Sequence, residues 1–491
     1  MMKRLASLLL LSLLAFGLAA EETFTPKRGG VCFRFDDNQP EPVLAALMEL
    51  FARHRAPMSL AVIFGREIAP AYAERLRQMQ AAGHEIMDHT PEHRVFKLRI
   101  PGAAEQPWTD HVIDGTARLR YRCQPDDPDA PLFTTVVEGD RITIPKPLQA
   151  TLRRFLYIRN TADQKLYMVR PDAEGVWRLA DFWGDPVSFP PGLHTATFRG
   201  VDRWRAFSVD PAALVFMAEF VRARCRELGL KPPVTWIQPG TSEPVLDGEN
   251  VRQALEPLGY RSAATYTDRA RKTFGEPHPE RCAFRMEWGD IHLEQNLPAA
   301  AYKTLIADGV AKHHVLIAGS HCRTQRFPDK LAGFLRLYDE ILAWCRASGI
   351  EIRTQSDWAD RLYRDRHNPA ENIVPPWTTD LDGDGKPDGY DPLPEGTELT
   401  GGRLTIPAGR FLSITRLGGL EYGWNTLTFR AESGTPHVTL TFCRGGEPFG
   451  EPLALIGDTL RFTFPPEASE LTLTIGGGPE PLTLLSAHLS Q

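Results

Sequence analysis

Two histidines stand four positions apart in the segment MDHTPEH, residues 87–93. Imidazole nitrogens are good zinc ligands, and a catalytic zinc takes three protein ligands and keeps a fourth position for water. Thr90 is a favourable N-cap and Pro91 a favourable first helical residue, which predicts a helix that begins inside the segment. His89 and His93 can then turn toward one point. For an isolated pair, two ordinary polar residues at a helix start would be the better interpretation.

Two adjacent aspartates, Asp36 and Asp37, follow VCFRF (31–35), which is predicted to be a buried strand. Neighbouring carboxylates repel unless a cation lies nearby or one of them takes a proton. One carboxylate on a metal ion and one acting as a base is therefore a stable arrangement, although a solvated turn is a common alternative. GHEIMDH (83–89) is another predicted strand that ends at a histidine, and in a β/α barrel the carboxyl ends of the strands carry the site.

A third histidine, His321, ends the apolar segment VLIAGSH (315–321). A histidine at the carboxyl end of a buried strand can donate a proton to a leaving group. As a lone feature it would more often have a structural role, so its interpretation depends on the other strand ends.

The elements that must position these residues alternate between strand and helix. Helices are predicted at 40–55 and 69–82, with MSLAVIF (58–64) as a strand between them. This order is typical of a parallel sheet or barrel with helices outside. The alternation resumes with a helix predicted at 210–228. Further helices are predicted near 249–256, 302–312 and 327–348. Further strands are predicted at 234–238, 261–266, 315–319 and 350–353.

Two β-rich regions accompany the α/β pattern. Residues 97–204 show alternating strands with no convincing helix, including a predicted hairpin of RFLYIRN (154–160) and KLYMVRP (165–171). This segment is predicted to be a β-domain inserted between the two parts of the barrel, 21–96 and 205–365. Residues 366–394 read as a linker rich in Pro, Gly and Asp, and 395–491 as an all-β sandwich.

Composition limits the classes of protein. The chain has 491 residues, enough for two to four domains, and its net charge of -6 without a basic run disfavours nucleic-acid binding. Residues 1–20 are predicted to be a cleaved signal peptide rather than a membrane anchor, so the protein is expected to be secreted or periplasmic, with no membrane anchor after cleavage. Seven scattered cysteines predict neither a disulfide scaffold nor a zinc finger, and Cys225 and Cys345 are expected in the core.

In their order along the chain, FDDN, GHEIMDHTPEH, WIQPG and an apolar strand ending in histidine resemble the polysaccharide deacetylase (NodB-homology) family, also called carbohydrate esterase family 4. The resemblance covers about residues 25–96 and 205–365. It implies an α/β fold, a distorted (β/α) barrel, interrupted here by the insert and followed by the sandwich. It also implies an enzyme that removes N-acetyl, or sometimes O-acetyl, groups from an acetylated polysaccharide.

Carried over residue by residue, the resemblance implies that Asp37, His89 and His93 hold Zn²⁺ or another divalent transition metal. Asp36 is then the catalytic base and His321 the catalytic acid. The metal would lower the pKa of a bound water and polarise the acetamide carbonyl, while Asp36 takes the proton of the attacking water. The metal and a backbone N–H would hold the oxyanion, and His321 would protonate the departing amine.

The match to the family pattern is inexact at three motifs. Gln238 stands where the family has an arginine that contacts the base, and glutamine brings no positive charge. Trp288 and Asp290 are the match for a motif of an acidic residue with a tryptophan, and Asn38 replaces a glycine. A catalytically weak or inactive carbohydrate-binding relative is therefore the alternative. The retained ligands and acid–base pair favour the enzyme, since a binding module needs no such pair.

A second metal site is predicted in DLDGDGKPDGYD, which resembles the calcium loops of thrombospondin type-3 and dockerin-like repeats. Acidic side chains at alternating positions and a glycine at the sharp turn suit Ca²⁺, and a flexible acidic linker is the alternative. The predicted ligands are Asp380, Asp382, Asp384, Asp388 and Asp391.

The C-terminal sandwich resembles the jelly-roll modules that bind carbohydrate beside secreted enzymes. Tyr422 and Trp424 are the aromatic residues that could present rings to a sugar. Packing in the core is the commoner role of any single aromatic side chain.

Overall fold

The structure is a computed structural model. The residues that it describes are 29–91, 93, 97–99, 109–113, 117–121, 132–149, 157–162, 166–180, 187, 191–201, 208–209, 211–239, 248–264, 291–365, 367–444, 447–468 and 470–491. The predicted signal peptide lies outside these residues. Within them, no helix combines the length and the apolar character that a membrane span requires.

The chain begins with alternating strands and helices, as the apolar spacing predicts. The first helix, α1 (Glu41–Arg53), buries four apolar residues. The second, α2 (Pro70–Ala81), begins with Pro70, at a position where the backbone N–H has no partner within the helix. The elements are β1 (Gly30–Asp36), α1 (Glu41–Arg53), β2 (Ser59–Val62), α2 (Pro70–Ala81) and β3 (Glu85–Asp88).

The next segment is built from strands. They are β4 (Lys97–Arg99), β5 (Thr109–Ile113), β6 (Ala117–Tyr121), β7 (Leu132–Glu138), β8 (Arg141–Ile142), β9 (Tyr157–Asn160), β10 (Leu166–Pro171), β11 (Trp177–Ala180), β12 (Leu193–Val201) and β13 (Ser208–Val209). Six of them close into a barrel in the order β10-β11-β8-β7-β12-β9. The β9–β10 ladder confirms the predicted hairpin. Residues 146–149 form a helical turn that the sequence does not predict, and β4 pairs with β13, so the two ends of the segment meet.

The α/β order then resumes. Pro211 is the first helical residue of α3, as predicted, and the Thr354 hydroxyl caps α7 by accepting the Asp357 N–H. The sequence does not predict α7, a short helix with few apolar residues. The elements are α3 (Pro211–Glu227), β14 (Thr235–Ile237), α4 (Gly248–Leu255), β15 (Ser262–Ala264), α5 (Ala299–Ala311), β16 (Val315–Ser320), α6 (Lys330–Ala347), β17 (Glu351–Ile352) and α7 (Gln355–Tyr363).

Seven of these strands form one parallel sheet. Its order is β15-β14-β3-β2-β1-β16, and β17 pairs with the start of β1. The arrangement is the mixed α/β fold that the sequence predicts. Among the described residues no ladder joins β15 to β16, so closure into a barrel stays a prediction. Because all seven strands run in the same direction, their carboxyl ends lie along one edge.

Strand β1 separates the core from the site. Its alternate residues Val31, Phe33 and Phe35 pack into the helical layer, where Phe51 and Tyr338 lie 5.5 Å from Phe33 and Phe35 respectively. Burial of each such aromatic side chain is worth about 1.5–3 kcal/mol. The intervening residues of β1 face the opposite side of the sheet. Cys225 and Cys345 are buried in the same core, which confirms their predicted role.

The C-terminal residues form two five-stranded antiparallel sheets around a shared apolar core. One sheet has the order β18-β19-β27-β21-β25, and in the other β20-β26-β22-β23 is joined by β24. Ile373, Val374 and Trp377 from the preceding segment are buried in this core. The strands are β18 (Glu398–Thr400), β19 (Arg403–Ile406), β20 (Phe411–Leu417), β21 (Gly423–Ser433), β22 (His437–Arg444), β23 (Glu447–Pro448), β24 (Leu453–Ile456), β25 (Thr459–Phe464), β26 (Glu470–Gly476) and β27 (Leu482–Ser490).

The sandwich contacts the α/β part at the turn between α5 and β16. Gly418 donates its N–H to the Lys312 carbonyl at 2.9 Å, and His313 Nε2 donates to the Ile373 carbonyl at 2.9 Å. A Cβ at position 418 would lie 2.9 Å from the His314 ring, so only glycine allows this approach. His314 is thereby buried between the two parts.

We expect His314 to make stability depend on pH. Burial lowers its pKa from 6.5 to about 4, although the Glu470 carboxylate acts in the opposite direction. As the pH falls below 6.5, His314 becomes protonated in the unfolded chain but stays neutral in the folded protein. The free energy of unfolding therefore decreases by about 3 kcal/mol between pH 6.5 and pH 4. Chemical denaturation across this range should show that loss in the wild type and a smaller loss in His314→Gln. Substitution of the exposed His488 by Gln is the control, and equal losses in wild type and His314→Gln would contradict the assignment.

Candidate active site and metal centre

Four strand ends bring the predicted site residues to one edge of the sheet. Asp36 is the last residue of β1, His89 follows β3, Gln238 follows β14 and His321 follows β16. The strands β3, β2, β1 and β16 are consecutive neighbours in the sheet, which explains how residues far apart in the chain come together.

Asp37, His89 and His93 converge as a three-residue cluster. Their ligand atoms all lie within 4.8 Å of one another. Asp37 Oδ1 is 3.3 Å from His93 Nε2 and 3.8 Å from His89 Nε2, and the two imidazole rings are 4.8 Å apart. The ligand atoms of a tetrahedral zinc lie about 3.3 Å apart, so a small contraction would complete the site.

The histidines do not meet through a helix. Thr90 and Pro91 lie in a turn, and Thr90 and His93 have φ values of 62° and 58°. An N-cap residue has extended backbone, so the predicted helix start at Thr90 is wrong. The Asp88 carboxylate accepts the Thr90 N–H at 2.8 Å, and this local hydrogen bond favours the turn over a helix.

The cluster suits a divalent metal chemically. Asp37 Oδ1 is buried and accepts no hydrogen bond, as expected of an oxygen that serves a cation. His89 Nδ1 donates to the Ile237 carbonyl at 3.2 Å, which leaves the Nε2 lone pair toward Asp37. Burial lowers the pKa of His89 to about 4 and also lowers the pKa of His93, so both rings are neutral, the form that binds metals.

Asp36 has a cationic partner that the sequence analysis missed. Arg34 Nε lies 2.9 Å from Asp36 Oδ1, and Arg34 Nη2 lies 3.0 Å from Oδ2. Burial acts to raise the pKa of Asp36, but the Arg34 guanidinium, with smaller contributions from the three site histidines, holds that pKa below its usual value. Gln238 brings no positive charge, but Arg34 places one beside Asp36.

A signal for Arg34 was present in the sequence. In VCFRFD, Arg34 and Asp36 are two residues apart on a strand, so their side chains share one face. A charged residue inside an otherwise apolar buried strand requires a partner, and Asp36 is the nearest carboxylate on that face.

His321 is oriented by a carboxylate. Its Nδ1 donates to Glu294 Oε1 at 3.3 Å, and Glu294 is buried. Burial acts to raise the pKa of Glu294, but its hydrogen bond to His321 and the nearby His292 lower it, which keeps it ionised. His321 is close enough to Asp36 for its charge to lower the pKa of that carboxyl. Glu294 lies in a segment without periodicity, so the sequence offers no signal for its role.

The remaining predicted positions have different outcomes. Trp288 and Asp290 lie outside the described residues. Gln238 is fully buried, and its backbone N–H donates to the Ala264 carbonyl at the end of β15. Asn38 makes two hydrogen bonds with the backbone of Ile63, at 2.8 and 3.1 Å, and so fastens the loop after β1 to β2.

The predicted calcium loop is partly assembled. Asp380, Asp382 and Asp384 have carboxylate oxygens within 4.8 Å of one another, and all three accept backbone N–H groups of the loop. Asp388 accepts another backbone N–H, and Asp391 accepts a threonine hydroxyl of the sandwich at 2.8 Å. Burial, aided by the neighbouring carboxylates, raises the pKa of Asp388 to about 6. Calcium binding here stays a prediction.

The two aromatic residues named for sugar contact differ in exposure. Trp424 on β21 is 71% exposed. Tyr422 stacks on Phe464 with ring centroids 6.3 Å apart and packs against the sandwich core. Trp424 therefore presents an aromatic face to solvent, whereas Tyr422 has mainly a packing role.

A scan against protein-family models and a search of curated proteins found no match. Similar solved structures include a peptidoglycan N-acetylglucosamine deacetylase (9% identity, 68% of this chain and 88% of that chain, TM-score 0.29). A family 4 acetyl xylan esterase from Clostridium thermocellum in complex with a cobalt ion is similar at 11% identity (68% and 91%, TM-score 0.28). A probable polysaccharide deacetylase from Pseudomonas aeruginosa is similar at 12% (68% and 90%, TM-score 0.27). Likenesses this low carry no functional argument, so function has to be inferred from the site.

We expect the purified protein to bind one zinc ion per chain and His93→Ala to lose it, because two remaining ligands are too few for a stable site. Metal analysis after dialysis against a weak chelator measures the difference. The control is His437→Ala, a histidine of the sandwich. Equal zinc content in wild type and His93→Ala would contradict the assigned ligand set.

Proposed function

We propose that this protein is a metal-dependent polysaccharide deacetylase, a hydrolase of carbon–nitrogen bonds other than peptide bonds. Its substrate would be the N-acetyl, or alternatively the O-acetyl, groups of a glycan. The observation that carries this proposal is the meeting of a metal-type cluster with Asp36 and His321 at one sheet edge. A cluster of this kind beside a separate acid–base pair is what hydrolysis of an amide or ester requires.

A divalent ion held by Asp37, His89 and His93 would polarise the acyl oxygen and acidify a water molecule. Asp36 accepts the proton of that water as it attacks the carbonyl carbon. Arg34 keeps Asp36 ionised and fixes both carboxylate oxygens, so the base is charged and oriented before the substrate arrives.

His321 is the proposed acid of the reaction. Its Nδ1–H donates a hydrogen bond to Glu294, so Nε2 is the nitrogen that can donate a proton to the departing amine. Acetate and the free amine of the sugar are then the products. Glu294 also stabilises the imidazolium that the acid needs in order to donate.

The alternative is an inactive relative that binds carbohydrate through the same fold. Two features support it, the missing charge at position 238 and the large predicted β-insert next to the metal loop. Arg34 supplies that charge from β1, so the base retains a guanidinium partner. A binding module has no use for a buried, paired Asp36 or for a histidine oriented by Glu294, and we therefore favour the enzyme.

We further propose that the sandwich contributes to the binding of a polymeric glycan. On the outer face of its sheet, Trp424 lies opposite Thr463 and diagonal to Arg461, which are both polar and exposed, and the exposed His488 lies further along the same face, opposite Thr428. An exposed indole among hydroxyl and basic groups can stack on a sugar ring while its neighbours bind hydroxyls. Such an activity fits a protein that acts outside the cytoplasm, as the N-terminal sequence predicts.

Asp36→Asn should reduce acetate release from an N-acetylglucosamine oligomer by about 10²–10⁴-fold, because the general base is lost. Zinc should remain bound, since Asp36 is not among the ligands. Acetate assays with metal analysis on the same sample measure both quantities. Asp339→Asn, on the surface of α6, is the control, and undiminished acetate release by Asp36→Asn would contradict the assigned base.

Trp424→Ala should weaken binding to a polymeric glycan by about 2–10-fold and leave the hydrolysis of a short soluble oligomer unchanged. The matched control is Phe411→Ala, which removes an exposed aromatic ring from the other sheet of the sandwich. Pull-down with insoluble polysaccharide measures the binding. Equal retention of wild type and Trp424→Ala would remove Trp424 from the binding surface.

A further inference from the structure

Asp88 is a buried carboxylate next to a proposed metal ligand. It is the last residue of β3, immediately before His89, and it is fully buried. Neighbouring residues of a strand face opposite sides, so its side chain points into the helical layer and away from the site. One oxygen, Oδ1, accepts the Thr90 N–H at 2.8 Å, and the other, Oδ2, accepts the Tyr260 hydroxyl at 2.6 Å.

The turn that Asp88 supports determines where His93 lies. Thr90 is β-branched and has a φ of 62°, a conformation that costs about 1–3 kcal/mol and needs support from its surroundings. The Asp88 bond supplies part of this support. The Gly65 N–H adds a bond to the Pro91 carbonyl at 2.7 Å, and a Cβ at position 65 would lie 2.2 Å from that oxygen. These contacts stabilise the turn at Thr90 and Pro91, after which the His93 side chain faces His89.

Tyr260 fixes the other end of this support. It lies between α4 and β15, 172 positions from Asp88 in sequence, and is 1% exposed. Its ring is held in a separate apolar cluster with Trp236 and Leu255. A phenol immobilised by packing is a fixed donor, so the hydrogen bond to Asp88 holds the carboxylate in one orientation.

We propose that Asp88 and Tyr260 are a positioning pair, which sets the geometry of the His89–His93 metal site through the Thr90 turn. Asp88 touches neither the metal nor the substrate and acts through the backbone of Thr90. The inference rests on the proposed function, since it assumes that the histidines bind a metal. Partners behind metal ligands typically contribute 10–100-fold to affinity.

The test measures Zn²⁺ affinity of the full chain by competition with a chromogenic chelator. Asp88→Leu removes both acceptors and should weaken zinc binding by about 10–100-fold. Asp88→Asn keeps an oxygen for the Thr90 N–H and an amide that can bond the phenol oxygen, so its affinity should stay near wild type. Tyr260→Phe removes one hydrogen bond and should weaken binding by about 5-fold.

The matched control is Glu85→Gln on the same strand. Glu85 is also buried and accepts hydrogen bonds from Ser59, Thr235 and the Ser356 backbone, remote from the Thr90 turn. It should change the thermal stability of the apoprotein without changing zinc affinity. Rescue by Asp88→Asn with a loss in Asp88→Leu is a result that a general packing role would not produce.

The outcomes separate this inference from the proposed function. If wild type binds no zinc, the proposed function fails. If wild type binds zinc and Asp88→Leu binds it equally well, the positioning role is overturned. Equal losses in Asp88→Leu and Asp88→Asn, or in Asp88→Leu and Glu85→Gln, overturn it too. If Asp88→Leu does not fold, Tyr260→Phe decides, and unchanged affinity there counts against the pair.

Discussion

The buried ion pair between Arg34 and Asp36 is the interaction on which the rest of the site depends. Removing two charges from water costs several kcal/mol per ion, and only close contacts can offset that cost. Here the guanidinium meets both carboxylate oxygens, at 2.9 and 3.0 Å, and Arg34 has no exposed surface. Asp36 is therefore ionised and immobile at the end of a central strand. The neighbouring Asp37 has to turn elsewhere, toward the two imidazoles.

A second constraint is the conformation of the backbone at the strand ends. Asp37, Thr90, His93 and Cys322 all have positive φ, although none is glycine. They follow three different strands, β1, β3 and β16, and each lies among or next to the proposed site residues. Left-handed conformations of such residues persist only where surrounding contacts impose them, and they concentrate at functional sites. Sharp turns at the strand ends bring the side chains back over the sheet edge.

Sequence patterns predicted most of the described strands and helices, with α7 and the helical turn at 146–149 as exceptions, and they named the three residues that cluster at the sheet edge. The apolar alternation in β1 and the helical spacing in α1 follow from burial, which is local information. The partners of the site residues were harder to predict. Arg34 required the face of the strand to be considered, and Glu294 lies 27 positions from His321 in a segment without periodicity. The turn at Thr90 was not predicted, because capping preferences favour a helix there, whereas the local bond to Asp88 and the distant bond from Gly65 to Pro91 stabilise a turn.

The long segment between β3 and β14, predicted to be an insert, is compatible with the proposed site because its two ends meet. Strands β4 and β13, which lie at the two ends of the predicted insert, pair with each other. Because its two ends are paired, the length of this segment adds little to the free-energy cost of closing the chain. Each doubling of loop length raises that cost by only about 0.6 kcal/mol. Strands β3 and β14 consequently remain neighbours, and His89 Nδ1 reaches the Ile237 carbonyl across 148 positions of sequence. The nitrogen that His89 offers to a metal thus depends on a strand that follows the insert.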